Sequence, residues 1–359
     1  MTCFCFQKQV ASIRKHLKSD EKKEARRIFL ADLQRGISLE LVRVTEAAAL
    51  RASRWLGNGD KDRVDKAASD AMRGMLDLIP IKGTVIIGEG EKDKAPMLHI
   101  GEKVGSWVDD ALETDIAVDP VDGTRLVACG LPNALSVVAA GKSGSLLPFP
   151  SFYMQKLACG PALKGKLDIN VTVRENLKVA AAVLNKDIKD LTIMILERER
   201  HRQLIEEVRE TGARIKLITD GDVAGAIATA LNNVDIYMGI GGAPEGVLAA
   251  AALSCLEGDI QTKFYFHNDA ERERISAEGF DCDRVYRIED LAKGDEIIFA
   301  ATGITTGEFL EGVSFGSGRA TTHSVVMRSK YKTIRYIKSI HNLNYKTLPS
   351  RQRNQEEKV

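Results

Sequence analysis

The sequence predicts an α/β protein of two lobes, the second with a parallel sheet, and three observations predict it. The 359 residues exceed what one minimal core needs and suffice for two lobes. Short β-branched runs between residues 83 and 141 discharge into acidic clusters, and after about residue 165 strand-like and helix-like runs alternate. Hydrophobic residues make up 44% and charged residues 28%, which suits a folded globular chain and argues against disorder, collagen or a coiled coil.

Residues 1–36 mix Lys15, Lys18, Lys22, Lys23, Arg26 and Arg27 with acids and read as a charged, helix-prone extension. They contain no apolar core of a secretory signal, so a cytoplasmic protein is expected. Leu41 to Leu56 reads as a helix ended by Gly57, and GNGDKD as the turn after it. Val64, Ala67, Ala68, Ala71, Met72, Met75, Leu76 and Ile79 recur at helical spacing until Pro80 stops them. GTVIIG, residues 83–88, is a strand that runs into EGEKD; DIAV then runs into DPVDGT, and ALSVVAAG from Ala134 is a further buried strand. These residues, 37–165, form the expected first lobe. In 166–343, LTIMIL, RIKLIT and VDIYMGI alternate with helices that end near Thr211 and start near Asp222 and Glu245, and a strand-rich tail follows Glu296. Residues 344–359 are polar and expected to fray.

Several function classes drop out. Lys plus Arg number 51 against 50 acids, so no global basic field draws the chain to nucleic acid. Apolar runs such as Val247 to Leu256 fall short of the roughly 20 residues that span a bilayer. Six scattered cysteines, at 3, 5, 129, 159, 255 and 282, and six dispersed histidines argue against structural zinc; the core cysteines are read as buried free thiols. GKSGS at Gly141 fits neither the P-loop nor the nucleophile-elbow order. GIGGAPEG, 239–246, joins a strand to a helix, but Glu245 at the helix start would repel a dinucleotide's pyrophosphate, whereas a metal would accept it.

The acids carry the chemistry. Phosphate-ester hydrolysis needs a positioned water and neutralised phosphoryl oxygens, which Mg²⁺ or Mn²⁺ supplies when carboxylates hold it. DPVDGT offers Asp119, Asp122 and the Thr124 hydroxyl in one turn that Gly123 permits, and EGE puts Glu89 and Glu91 on one face of an extended segment. An isolated Asp-Pro or Asp-Gly is usually only a turn former; the whole hexapeptide after a β-branched strand reverses those odds. Asp65 alone reads as an ordinary acid near a helix start. Asp222 reads as a helix N-cap with Asp220 freer for sugar hydroxyls, and Arg198, Arg200 and His201 gather where arginine forks would suit a second phosphate. Tyr153 and Lys156 read more readily as core than as ligand contacts.

GDKDRVD, IIGEGEKDKAPML, IGEKVG, DIAVDPVDGTR, FYMQKL, DGDVA, GIGGAPEG and ATGIT, in this order over about residues 37–343, resemble the class II fructose-1,6-bisphosphatase family. DPVDGT alone resembles the wider lithium-sensitive phosphatases, which include inositol monophosphatases. The resemblance implies a layered α/β sandwich of sugar-phosphatase type, hydrolysis of the 1-phosphate of fructose 1,6-bisphosphate, Mg²⁺ or Mn²⁺, and a homo-oligomer. It implies metal ligands at Asp65, Glu89, Asp119 and Glu245, and a water-activating Thr124 with Glu91 and Asp93 nearby. Substrate contacts would fall on Asp122, Gly123, Thr124, Tyr153, Arg198, Arg200, Asp220, Asp222 and Gly242. Sedoheptulose 1,7-bisphosphate or an inositol monophosphate is the alternative substrate, and a silent sugar-phosphate sensor the alternative class. The chain has Asp122 where the family commonly has Glu, and Glu199 where it usually has Pro.

Overall fold

The computed structural model describes residues 19–90, 97–109 and 111–346. In chain order the first elements are α1 (Ser19–Ala52), α2 (Lys61–Leu76), β1 (Ile81–Ile87), β2 (Lys103–Val104), β3 (Leu112–Asp122), α3 (Thr124–Ala128), β4 (Leu135–Lys142) and β5 (Tyr153–Cys159). Next come α4 (Val173–Leu184), β6 (Thr192–Leu196), α5 (Arg202–Glu210), β7 (Arg214–Ile218), α6 (Asp222–Ala230), β8 (Ile236–Gly242), α7 (Ala243–Cys255) and β9 (Asp259–Tyr265). The chain closes with α8 (Asp269–Ala277), β10 (Tyr286–Arg287), α9 (Ile288–Leu291), β11 (Ile298–Gly303), β12 (Ser314–Gly316), β13 (Arg319–Arg328) and β14 (Thr333–Asn342).

Two sheets organise these elements. One runs β12-β13-β11-β4-β3-β1-β2 with β14 on β13; the other runs β10-β9-β5-β8-β6-β7. Side chains alternate across each strand, so each sheet has two apolar faces to cover. Val85, Ile116, Val118, Val138 and Ala300 pack under Leu41, Val44, Val64 and Met72 of α1 and α2. The opposite face, with Ala117, Val137, Ala139, Phe299 and Val325, packs on Val223, Ile227, Val247 and Leu248 of α6 and α7. Met154, Ala158, Tyr237 and Ile260 of the second sheet close on the same helices. Its outer face, with Leu157, Ile193, Ile195 and Met238, lies under Leu177 and Ala180 of α4 and Val208 of α5. The result is a five-layer αβαβα sandwich.

The structure departs from the sequence reading in four places. The expected helix near Leu41 begins at Ser19, so the backbone of α1 crosses the expected boundary at 36 without a break. The second sheet is parallel only along β7-β6-β8; β5 pairs antiparallel with β8 and β9 because it enters from the first sheet without a crossover helix. Sheet membership does not follow the 165/166 division: β5 belongs to the second sheet, and β11, β13 and β14 return to the first, where β11 pairs with β4. Cys159, Cys255 and Cys282 are buried free thiols, but free Cys129, just past α3, is exposed. Cys3 and Cys5 lie outside the described residues. Among the described residues no helix is long and apolar enough to cross a membrane.

Candidate active site

Strand register brings the acids together. Ile87 pairs with Ala117 in the parallel ladder, so Glu89 and Asp119, each two residues further on, emerge at the same edge. A bulge between Asp119 and Asp122 in the β3-β4 pairing accommodates Pro120, which has no donor for the ladder. Gly123 then turns at φ +94°, a conformation that an L side chain resists, and Thr124 opens α3. The Val121 N–H closes the turn on Asp119 Oδ1 at 3.0 Å.

Asp65 reaches this turn from α2. Asp60 is the actual N-cap, accepting from the Arg63 N–H, so Asp65 stands past the first turn, deeper than the sequence suggests. Thr124 donates its hydroxyl to Asp65 Oδ1 at 2.7 Å, with the Val121 carbonyl 3.3 Å away. From the second sheet, Gly242 at the end of β8 caps α7 and Glu245 occupies that helix's first turn. The Glu245 carboxylate folds against Gly242: a Cβ there would sit 2.0 Å from Oε2. A cleft of about 360 Å³ between the sheets is lined by Glu89, Asp119, Tyr153, Gly242 and Glu245 among others.

Asp222 lies behind the cleft and is not the helix cap. Gly221 takes that position, because the Asp222 carboxylate is engaged elsewhere: Lys156 donates to Oδ2 at 2.5 Å and Tyr237 to Oδ1 at 2.7 Å, all three side chains being buried. Sequence reasoning set Lys156 aside as core and missed Tyr237. The available signal was a lone cation alternating with apolar residues in FYMQKLAC. Asp122 Oδ2 accepts from the Ala224 N–H at 3.4 Å, and Asp220 meets Arg198 at 3.4 Å. Arg200 spends Nε and Nη2 on the Ile240 carbonyl, at 3.0 and 2.8 Å, and its guanidinium lies 4.9 Å from the Tyr153 ring centroid. Glu91 and Asp93 lie outside the described residues.

The acids repel one another. Burial, then the Asp65 charge, pushes Glu89 up to about 7, although this residue sits at the exposed mouth of the cleft. Burial, then Asp222, Glu245 and Asp220, pushes Asp122 up to about 8. Asp119 is held well above the carboxylate range by burial and by Asp122, Glu89 and Glu245. Asp65 and Glu245 are raised chiefly by burial. Asp222 is the exception: burial alone would raise it, but Lys156 and Tyr237 hold it below its usual range.

Such a cluster fits a hard divalent cation in its donor chemistry. Glu245 Oε2 is buried with no hydrogen-bond partner, as an oxygen awaiting a cation would be. Among the described residues, no three His, Cys, Asp or Glu side chains already have the spacing of a ligand set for one ion. Glu89, Asp119 and Glu245 line one cleft.

Residues 35–341 match the family described as "Bacterial fructose-1,6-bisphosphatase, glpX-encoded". The chain is 46% identical over 329 residues to "Fructose-1,6-bisphosphatase 1 class 2" of Escherichia coli (strain K12), covering 88% of this chain and 97% of the relative. The same figures hold for "Fructose-1,6-bisphosphatase class 2" of Shigella flexneri. Among solved structures, the extragenic suppressor protein suhB from Bartonella henselae aligns only loosely, at TM-score 0.33 and 14% identity over 55% of this chain and 74% of that one.

Proposed function

The chain belongs to the bacterial fructose-1,6-bisphosphatase family, and from that premise we propose that the cleft between its two sheets is the hydrolytic centre. The reaction is hydrolysis of fructose 1,6-bisphosphate to fructose 6-phosphate and phosphate. The observation that carries the assignment of the site is the convergence of Glu89, Asp119 and Glu245 from three separate elements on one cleft. Asp65, Glu89, Asp119 and Glu245 would hold Mg²⁺ or Mn²⁺. Asp122, beside Asp119 in field and position, is a further candidate to share that work rather than to meet only the sugar. When bound, the cation supplies charge neutralisation at the phosphoryl oxygens and lowers the proton affinity of water.

The chain's own groups do the rest. With its hydroxyl hydrogen turned to Asp65, the Thr124 oxygen keeps lone pairs to accept a hydrogen bond from water and so orient it. Glu91 and Asp93 remain the candidate acids to assist it. The positive dipole ends at the N-termini of α6 and α7 face Asp122 and Glu245 and partly offset the charge of the acid cluster. Gly123 and Gly242 let backbone approach closely, Tyr153 offers a ring at the cleft wall, and Asp220 is a candidate partner for sugar hydroxyls, whereas Asp222 is already engaged by Lys156 and Tyr237. Arg198 and Arg200 would take the distal phosphate; Arg200 still has Nη1 to offer beyond its bonds to Ile240.

A substrate panel tests this reading. Fructose 1,6-bisphosphate should exceed fructose 1-phosphate, sedoheptulose 1,7-bisphosphate and inositol 1-phosphate in kcat/KM. Arg200→Ala should raise KM for the bisphosphate by about 30- to 100-fold, the worth of a forked charged contact, and leave fructose 1-phosphate nearly unchanged. Equal losses on both substrates would remove Arg200 from the distal site.

The raised carboxyls also set the sign of a pH effect. Folded Glu89 and Asp122 bind protons more tightly than the unfolded chain does, so without metal their contribution to stability is complete below about pH 4. It is lost as pH rises through about 7 and 8. Metal-free protein should therefore melt several degrees lower at pH 8 than at pH 5.5, and added Mn²⁺ should restore more at pH 8. Metal protection that is no greater at pH 8 would place the cation elsewhere.

A further inference from the structure

From the contacts around Ile240 we infer that His201 is a positioning residue, one that sets the reach of Arg200 toward the substrate's distal phosphate by holding the Ile240 backbone. The inference rests on the distal-phosphate reading of Arg200. His201 is fully buried in the turn between β6 and α5. Its Nδ1 lies 2.6 Å from the Leu196 carbonyl, which can only accept, so Nδ1 carries the proton. Its Nε2 is then a bare lone pair, and the Ile240 N–H donates to it at 2.7 Å. Burial, with the Arg200 charge beside it, holds the imidazole below its usual titration range, which keeps that lone pair available.

The same residue is gripped from its other side. The Ile240 carbonyl accepts both Nε and Nη2 of Arg200, so Ile240 is held by His201 through its N–H and by Arg200 through its C=O. Gly239 precedes it, and Gly241 and Gly242 follow it. On one side these residues pair with β5, but β6 pairs with β8 only at Ile236 and Tyr237, so on that side of Ile240 the two side chains take the place of a neighbouring strand. Arg200 thus takes its orientation from a carbonyl whose place depends on His201. Three residues beyond Gly242 stands Glu245, so the clamp also joins the arginine turn to the strand that delivers an acid to the cleft. A phosphate contact is steep in distance and angle, and a displaced fork loses much of its value without any change in charge.

The test compares two substitutions that divide the imidazole's two bonds. His201→Gln can still accept from the Ile240 N–H through its amide oxygen; His201→Asn can still donate to Leu196 but cannot reach Ile240. Steady-state kinetics with Mn²⁺ on fructose 1,6-bisphosphate and fructose 1-phosphate should show His201→Asn raising KM for the bisphosphate about tenfold, one hydrogen bond's worth, with the monophosphate little affected. His201→Gln should stay within about twofold of the parent on both. In an Arg200→Ala background, His201→Asn should add nothing to the bisphosphate KM, because the two act as one unit. Equal KM changes on the two substrates, additivity in that background, or a Gln chain as impaired as the Asn chain would each overturn the inference. Should the Asn chain melt below the assay temperature, a Gln chain that loses more than about twofold on both substrates alike would overturn the inference. A parent enzyme that turns over both substrates with equal kcat/KM would instead sink the distal-phosphate reading itself.

Discussion

Asp119→Asn should lower kcat for fructose 1,6-bisphosphate by at least about a thousandfold while the protein stays folded, a loss of the size seen when charge stabilisation is removed from a reacting centre. The substitution keeps shape and keeps an oxygen for the Val121 N–H, so the DPVDGT turn persists. It removes one charge from a group that Asp122, Glu89 and Glu245 all crowd. The metal-free variant should accordingly melt no lower than its parent at pH 8. Phosphate release and thermal melts on the same preparations separate the two effects, and a variant that loses both activity and fold would point to a structural role for the carboxylate.

Lys156→Met should cost about 3–5 kcal/mol of stability, the range expected when one partner of a buried ion pair is removed. Lys156 and Asp222 are both almost wholly enclosed, and without the ammonium the carboxylate keeps only the Tyr237 hydroxyl. Asp222 would then take up a proton on folding. Its folded titration point would move from below to above the unfolded one, so the variant should lose further stability as pH rises, whereas the parent's pair already contributes fully above about pH 4 and stays level. Adding Asp222→Asn should recover part of the loss, since neither buried charge then remains. Urea melts at pH 5.5 and 8 measure all three; a cost below about 1 kcal/mol would mean that water reaches the pair.

These two residues also mark what the sequence made legible. Asp119 sits in a motif whose chemistry follows from local order: a β-branched strand, an Asp-Pro bulge, a glycine turn and a helix start. Glu89 and Glu245 follow in the same way, as acids at a strand end and at a helix start. Lys156 was not legible as a functional neighbour, because its meaning depends on Asp222, 66 residues away, and on which face of β5 it occupies. Tyr237 looked like one more apolar strand residue until its hydroxyl had Asp222 to meet. The assignment of Asp222 as a cap failed for the same reason: a local rule yielded to a distant cation. The second sheet was read as parallel because β6, β7 and β8 do alternate with helices, whereas the antiparallel pairing of β5 and β9 is a matter of topology that no local pattern records.

Asp122 sharpens the reading of the motif. It is buried, bonded to the α6 backbone and placed in the field of Asp222, Glu245 and Asp220. An Asp reaches one methylene less far than a Glu, and the α6 N-terminus comes within 3.4 Å of it. A carboxylate so placed can serve the acid cluster without the longer side chain.

The central claim is that the cleft's carboxylates work by holding a divalent cation. It is tested most directly by phosphate release from fructose 1,6-bisphosphate with protein stripped by a chelator and then given Mg²⁺ or Mn²⁺ in increasing amounts. Stripped protein should show no turnover, and activity should return saturably with the added cation. Undiminished turnover in the stripped protein would contradict the account.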